Sequence, residues 1–459
     1  MKTPLGWLAG FASASGPRYL RIVSALEAAV ADGVLLPGER MPAQRTLADA
    51  LGLDLTTVSR AYQECRKRGL VDTRGPQGTF VAPPKVEFDQ IVDLSMNIPP
   101  APAGINLMDL LRYGLSQVLV RSEAPRLMTY HLGGGSVADQ EAGRRWLQQM
   151  LGPDFPGQVI ACPGAQATLA ALIMTLTAPG DAIGCEPLIY PGLLLATQTL
   201  GRRVVTIGTD ADGMTPDGLE AAHREHGVRV VYLNPTAQNP TGHTIPLDRR
   251  NALAKVASGL DLIVLEDDPY WLLAEQAPPP LAAIAPGQTC YIATLSKCLS
   301  PGLRTAYLRL PPQVDPQAFL AALRSISLMS APLLISMVTQ WILDGTAQQL
   351  LQAVQKEARE RRAIARHALS GLHEDPCDGV HLWHRLPPHW NADAFARAAQ
   401  REGLTVAPSS AFALHGAAPY DAIRISLGAV TTRAELTSAL RKLDRLIQQP
   451  PAESLRIMV

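Results

Sequence analysis

Tyr291-Ile292-Ala293-Thr294-Leu295-Ser296-Lys297-Cys298-Leu299-Ser300-Pro301-Gly302-Leu303-Arg304 decides how this chain is read. The apolar run from Tyr291 to Leu295 predicts a strand, and the polar cluster follows at its end. A lysine among hydroxyls, with Arg304 seven residues on, suits a Schiff-base lysine beside a phosphate cup. The Pro301-Gly302 turn lets Arg304 fold back toward the same pocket.

The neighbouring segments repeat that design. Candidate strands at 204–207, 228–233, 260–265, 291–295 and 306–310 alternate with helical patterns, as in an α/β domain. In open α/β sheets, ligands gather outside the carboxyl ends of the strands. Leu260 to Leu265 delivers Glu266, Asp267 and Asp268, with Tyr270 just beyond. Three adjacent acids repel one another and need a partner. A metal is one partner, although few His or Cys residues stand nearby; a cationic ring nitrogen is another. A solvated strand end is the plain alternative. Cys162-Pro163-Gly164-Ala165-Gln166 opens a helix whose free N–H groups can seat a phosphate; many helices begin this way. Asn234 to Gly242 holds two Asn-Pro units that aim an amide from a rigid loop. Glu186 to Gly192 sets the Tyr190 ring in a constrained turn. Asp421 to Gly428 reads as a late strand carrying Arg424, whose two-pronged guanidinium suits a carboxylate; a surface ion pair is the alternative.

Taken together, 93–459 resembles the fold-type I pyridoxal-phosphate enzymes of the aspartate aminotransferase superfamily. The resemblance rests on Asn239-Pro240-Thr241-Gly242, on Asp267 with Tyr270, and on Ser296-Lys297 with Pro301-Gly302-Leu303-Arg304, in the family's order. It implies a large α/β domain with a mainly parallel sheet and a smaller C-terminal α+β subdomain from about residue 335. It implies pyridoxal 5'-phosphate as cofactor, with Lys297 forming the internal aldimine. Asp267, preferred to Asp268 for its spacing to Tyr270, pairs with the pyridinium nitrogen. Asn239 and Tyr270 bond the ring oxygen, and Tyr190 stacks on the ring. Gly164, Ala165, Gln166, Thr294, Ser296 and Arg304 hold the phosphate, and Arg424 grips a substrate or effector α-carboxylate. Tyr130 and the loop Gly133-Gly134-Gly135 are candidates for the substrate mouth. His381 and His384 flank Trp383 and read as structural.

The first 82 residues have another texture. A helical pattern over 17–32 is followed by the turn-rich 36–42 and a short helix over 44–51. Asp54 can cap a further helix in which Val58, Ala61, Tyr62 and Cys65 share one face. Thr56, Thr57, Ser59, Arg60 and Gln63 face outward, a set suited to phosphates and base edges. Two short strands around Arg74 to Gln77 form a hairpin, which completes a winged helix-turn-helix. The segments Leu36 to Ala48, Thr57-Val58-Ser59-Arg60-Ala61-Tyr62, Gly69-Leu70-Val71 and Gly78-Thr79-Phe80-Val81 resemble the DNA-binding domain of the GntR family. That resemblance implies DNA contacts by Arg45, Thr57, Arg60 and the wing near Gly78.

Charge alone would mislead. The 459 residues carry 41 Lys+Arg and 41 Asp+Glu, a balance that argues against nucleic-acid binding. Divided at residue 82, however, the chain is a +3 segment followed by a −3 remainder. No apolar run reaches the roughly 18 residues of a membrane helix, and no signal-peptide pattern opens the chain. The six scattered cysteines predict neither disulfides nor a metal site, and fit a reducing cytoplasm. A Pro-bearing linker is expected over 83–92.

The combination resembles the MocR subfamily of GntR regulators. It implies a homodimer that binds a double-stranded operator. An amino acid or amine effector would form an external aldimine with the cofactor and change DNA binding. A catalytically active aminotransferase with an autoregulatory reader is the alternative, because every residue needed for transamination is present.

Overall fold

The computed structural model describes residues 6–8, 11, 16–82, 92–122, 124–371 and 379–450. The expected linker therefore lies outside the described residues, except for Val92. The chain divides into two compact units, Met1–Asp89 and Gln90–Val459.

The first unit is a winged helix-turn-helix. It comprises α1 (Arg18–Ala31), α2 (Gln44–Leu51), α3 (Leu55–Lys67), β1 (Val71–Thr73) and β2 (Thr79–Val81). Val58, Ala61, Tyr62 and Cys65 of α3 are buried, packing with Ile22, Val23 and Leu26 of α1 and Leu47 of α2. Asp54 caps α3: the Thr57 hydroxyl and N–H donate to its carboxylate at 2.6 and 2.8 Å. Those bonds hold the carboxyl below its ordinary value. The segment over 36–42 does more than connect. Its Gly38 and Met41 N–H groups donate to the Val81 and Thr79 carbonyls at 2.9 and 2.8 Å. A two-stranded hairpin leaves an open edge, and this segment covers it.

The second unit is built on a seven-stranded sheet. Its order is Gln158–Cys162, Ala306–Leu310, Thr289–Thr294, Ile263–Asp267, Val230–Leu233, Ala182–Cys185, Arg203–Thr206. The sheet is parallel except for Ala306–Leu310, which runs antiparallel to both neighbours. Alternate residues of each strand enter cores on opposite faces. Ile160, Cys162, Ile292 and Leu308 pack on one face, and Val159, Ala161, Ala293 and Tyr307 on the other. Burial on both faces explains the near-continuous apolar runs.

The strand expected over 260–265 is displaced: Asp261 sits in a left-handed turn with φ +51°, and the strand runs Ile263–Asp267. Glu266 and Asp267 thus lie within the strand and project to opposite faces. The strands Gln158–Cys162 and Ala182–Cys185, absent from the sequence reading, complete the sheet.

A smaller three-stranded sheet, ordered His381–Arg385, Ala422–Ser426, Ala407–Pro408, packs against the helices Ala392–Arg401 and Arg433–Gln448. The helix Pro332–Leu343, where the C-terminal part was expected to begin, belongs instead to the main core through Met337, Val338 and Trp341. Conversely, Val92–Asp93 pairs with Leu404–Thr405, and the Ser426 N–H donates to the Leu94 carbonyl at 2.7 Å. The start of the unit is thereby stitched to its C-terminal sheet. Among the described residues no helix is long and apolar enough to cross a membrane.

Candidate functional site

The parallel strands bring their carboxyl ends to one edge of the sheet, and the residues predicted for the pocket, Tyr130 apart, lie on the segments around it. The antiparallel strand Ala306–Leu310 explains how Arg304 joins them. Ala306 lies in register with both Cys162 and Thr294, so the residues just before it reach the edge where the other strands end. Gly164 precedes the helix Ala165–Leu176 with φ +99°. A Cβ at Gly164 would lie 3.0 Å from Arg304 Nη2. An arginine beside the free N–H groups of a helix start forms an anion cradle. Thr294 and Ser296 share a hydroxyl–hydroxyl bond of 3.1 Å. The Gln166 amide donates to the Gly192 carbonyl at 2.9 Å, while its Oε1 is buried without a partner.

Asp267 and Asp268 occupy different environments. The Tyr232 hydroxyl donates to Asp267 Oδ2 at 2.9 Å, and Asp267 Oδ1 is buried without a hydrogen-bond partner. Burial pushes Asp267 up to about 6, against the pull of the Tyr232 bond and of Lys297. It is therefore still mostly anionic at neutral pH. Burial, with Glu266 beside it, pushes Asp268 well above the carboxylate range. Thr236 donates to Asp268 at 3.2 Å. Glu266 accepts the Leu281 and Ala282 N–H groups at 2.8 Å each. Among the described residues, no group of three or more His, Cys, Asp or Glu side chains is placed to hold a metal.

Lys297 donates to the backbone carbonyl of Asn97 at 2.5 Å. Burial, followed by Arg424 and Arg304, lowers its amine to about 8, while Asp267 opposes that shift. A neutral, nucleophilic fraction is thus present near neutral pH. Tyr190 precedes the helix Pro191–Thr199. Burial and the Asp267 charge raise its phenol, with Arg304 and Arg424 in opposition. Gly192 is required here, because a Cβ would meet the Tyr190 ring at 2.3 Å.

Arg424 is 7% exposed, not a surface group. It donates to Asn239 Oδ1 at 2.6 Å and to the Ser95 carbonyl, and it lies over the Phe412 ring. Its Nε is buried without a partner. The Asn239 N–H donates to Asn234 Oδ1 at 2.7 Å, and the Asn234 amide donates to the Asp267 carbonyl at 2.6 Å. The two Asn-Pro units are therefore braced against the strand that carries Asp267. Tyr130, by contrast, is 74% exposed and takes no part in this network. The loop after it packs on the strand Gln158–Cys162: a Cβ at Gly135 would meet Ala161 at 2.8 Å.

Four contributors escaped the sequence reading. Tyr232 sits on a neighbouring strand, facing the same side as Asp267. Ser95 and Asn97 come from the segment stitched to the C-terminal sheet. His381, read as structural, lies against Tyr270 with ring centroids 5.2 Å apart and planes tilted by 55°. The signal available for Asn97 was a polar residue just before Ile98-Pro99-Pro100, too common a pattern to single out.

These features fit pyridoxal phosphate on three independent counts. An orphaned anionic oxygen suits a protonated ring nitrogen, the Gly164–Arg304 cradle suits a phosphate, and a partly neutral amine suits an aldehyde.

In the first unit Arg45, Arg60 and Asp54 are exposed, while Thr57 is half-buried with its hydroxyl committed to Asp54. Ser59 donates to Gln44 Oε1 at 2.7 Å, which brings the start of α2, next to Arg45, against the middle of α3, next to Arg60. Arg60 stacks over Tyr19 at 4.2 Å. Gly78 takes φ +108°, and a Cβ there would meet the Arg40 guanidinium at 3.2 Å.

Comparison with known proteins agrees with both units. Residues 93–443 match the family "aminotransferase class I and II", and residues 18–81 match "bacterial regulatory proteins, gntR family". The uncharacterized HTH-type transcriptional regulator YdeF of Bacillus subtilis is 29% identical over 453 residues, covering 97% of each chain. The HTH-type pyridoxine biosynthesis transcriptional regulator PdxR of Corynebacterium glutamicum is 29% identical, covering 75% of this chain and 77% of its own. Among solved structures, the kynurenine aminotransferase of Pyrococcus horikoshii superposes with a TM-score of 0.70 at 24% identity, covering 78% of this chain and 91% of its own. The chain belongs to the aminotransferase class I and II family and carries a GntR-type helix-turn-helix unit ahead of it.

Proposed function

We propose that this chain is a pyridoxal-phosphate-dependent transcriptional regulator whose cofactor pocket senses an amino acid or amine. The observation that carries the reading is the buried, unpartnered Oδ1 of Asp267 in electrostatic reach of Lys297, in a chain that aligns end to end with a helix-turn-helix regulator. When bound, the cofactor supplies an electrophilic carbon and a cationic ring that accepts electrons. Asp267 holds the proton on the ring nitrogen. Arg304 and the N–H groups after Gly164 seat the phosphate, and Tyr190 covers a ring face. Lys297 offers its amine, and Arg424 receives the effector carboxylate. An effector that bonds differently in two arrangements of the unit biases them by its differential affinity, and the linker over 83–91 carries that bias to the reader.

A second copy of the chain completes the operator-binding form. The helix Leu107–Arg121 packs one side against Trp341, where a Cβ at Gly114 would come within 2.7 Å of the indole nitrogen. It also exposes Met108, Leu111, Tyr113, Leu115, Leu119 and Val120, apolar side chains that a homodimer would bury. Two readers then address paired half-sites in the cytoplasm.

The test is fluorescence anisotropy on DNA from the chain's own promoter region, with and without pyridoxal phosphate and a panel of amino acids and amines. A saturable, sequence-specific isotherm that moves with one amine is expected. Absence of saturable binding under all conditions counts against the reading. Sustained keto-acid production over many turnovers, with no effect on DNA, favours an aminotransferase instead.

A further inference from the structure

The strand Ala182–Cys185 ends at Glu186, a half-buried carboxyl group with no role assigned so far. The Met214 N–H donates to its Oε1 at 2.8 Å, and the Gln238 amide donates to its Oε2 at 3.3 Å. Burial raises the carboxyl to about 7 against the pull of those two bonds, and no cation adds to that pull. A carboxylate offers about four acceptor sites, so this one has room for a further donor.

Glu186 lines a cleft of about 440 Å³ within the second unit. Leu188 and Gln238 join it from segments of the seven-stranded sheet, and Trp383, Arg385 and Tyr420 come from the three-stranded sheet and its approach. The Trp383 indole donates to the Tyr420 hydroxyl at 3.3 Å, which holds the two rings together. Arg385 is exposed and lies 4.2 Å from the Tyr420 ring centroid; it covers that ring instead of neutralising Glu186. Asp210 lines the same cleft but is already satisfied, because Arg249 donates to both of its oxygens at 2.9 and 2.7 Å. A carboxylate without a counter-charge, in one cleft with two aromatic rings, is a recognition set for an organic cation. We propose that this cleft is a second ligand site, separate from the cofactor pocket, for a small organic monocation: a protonated amine with its charge at Glu186 and an apolar body against Trp383 and Tyr420.

Two short routes couple the cleft to the pocket. Trp383 meets the Phe412 ring edge-on, with centroids 5.9 Å apart, and the Arg424 guanidinium lies 4.9 Å from the centroid of the same ring. The Ile189 N–H donates to the Phe412 carbonyl at 2.8 Å, which pins Phe412 to the segment that carries Glu186. Gln238 supplies the second route. Its amide donates to the Leu188 carbonyl at 2.5 Å, and it directly precedes Asn239, the acceptor for Arg424. A ligand that touches both sheets bonds differently when they shift, so it biases their arrangement by its differential affinity. The effect of the cation on DNA binding rests on the regulator reading above; its affinity for the cleft does not.

The probe is N,N-dimethylphenethylamine, a tertiary amine that is cationic at neutral pH and cannot form a Schiff base with pyridoxal phosphate. Calorimetric titration of the full chain, with and without pyridoxal phosphate, should give saturable one-to-one binding. Glu186→Gln keeps the shape and removes the charge, and should weaken binding at least about tenfold. Trp383→Leu should weaken it about threefold. Phenethyl alcohol and hydrocinnamate, the neutral and anionic analogues, should bind at least about tenfold more weakly than the amine. Equal affinity for either analogue, or unchanged affinity in a folded Glu186→Gln variant, overturns the proposal.

A pH series on the wild type needs no variant. Besides Glu186, the ionisable groups of the lining are Asp210, His243, Arg385 and Tyr420, and burial keeps the adjacent Cys185 a thiol. The cation needs ionised Glu186, so its affinity should fall toward about tenfold per pH unit below about 7. A flat profile overturns the proposal, and so does a slope that persists in Glu186→Gln. The same amine, added to the anisotropy titration on promoter DNA, should move the midpoint at least about fivefold. Saturable binding of the amine with an unmoved midpoint overturns its regulatory role. A wild type that binds no DNA overturns the regulator reading instead, and calorimetry still decides the site.

Discussion

The Tyr232 hydroxyl donates to one oxygen of Asp267 at 2.9 Å, while the other oxygen of the same carboxylate is buried and unpartnered. A buried polar atom left without a partner costs stability unless a ligand satisfies it; in the proposed function a cationic ring nitrogen satisfies this one. Asp267→Asn keeps the shape and removes the charge. We expect pyridoxal phosphate to bind at least about tenfold more weakly, roughly 1.4 kcal/mol, with partial recovery in Asp267→Glu. Fluorescence titration of the protein with the cofactor measures this, and an unchanged Kd would remove Asp267 from its assigned role.

Lys297 should titrate near pH 8. Only the neutral amine is nucleophilic, so its labelling by an acylating reagent should fall about tenfold per unit below that pH. Arg424→Ala removes a neighbouring cation, makes the ammonium form cheaper and moves the inflection up. Asp267→Asn removes an anion and moves it down. Peptide mass spectrometry of the labelled, cofactor-free protein reads both shifts, and movement in the wrong direction in either variant breaks the electrostatic account.

The approach of Arg304 to Gly164 makes a sharper distinction between ligands. Gly164→Ala places a methyl group 3.0 Å from Arg304 Nη2 at a backbone φ of +99°, a conformation that strains an alanine by about 1–2 kcal/mol. The wild type should prefer pyridoxal phosphate over pyridoxal, and the variant should lose most of that preference. Competition binding of the two compounds tests it; an unchanged ratio would place the phosphate elsewhere.

Glu357 lies at a buried junction of charges. It accepts from Arg361 Nε at 2.9 Å and from Arg433 Nη2 at 2.7 Å, with its side chain 4% exposed. Burial alone would raise its carboxyl, but the bonds from Arg433 and Arg361 outweigh that and hold it below its ordinary value of 4.5. Its contribution is therefore complete above that value and is lost as pH falls through the lower folded one. Glu357→Gln should cost about 3 kcal/mol at neutral pH, because Arg361 remains buried without its counter-charge. The cost should shrink in acid. Urea unfolding at several pH values decides, and a penalty that does not change with pH would exclude the ion pair as its cause.

On the reader, Arg60→Ala and Arg45→Ala should each weaken operator binding. If an arginine meets a phosphate, the slope of log K against log salt should fall by about one. If it reads a base, affinity should drop by about 1–3 kcal/mol, with relaxed preference at one position. Asp54→Ala should instead lower the thermal stability of the first unit through loss of the α3 cap. Titrations at several salt concentrations, together with thermal unfolding, separate these effects.

The sequence alone determined the two-unit plan and the group of residues at the pocket. Strand-terminal polar clusters, the Asp54 cap and the burial pattern of α3 are local features, and local rules of capping and periodicity read them directly. Asp267 could be favoured over Asp268 only by its spacing to Tyr270. Tertiary structure separated them physically: successive side chains of a strand face opposite ways, and one face meets Tyr232 and Lys297 while the other meets Glu266. The reach of Arg304 to Gly164 likewise depended on one antiparallel strand that no periodicity announces. Asn97, Ser95 and His381 were invisible for the same reason. Each is an ordinary polar residue in its own segment; the pairing of Val92–Asp93 with Leu404–Thr405 places Ser95 and Asn97, and the pairing of His381–Arg385 with Ala422–Ser426 places His381.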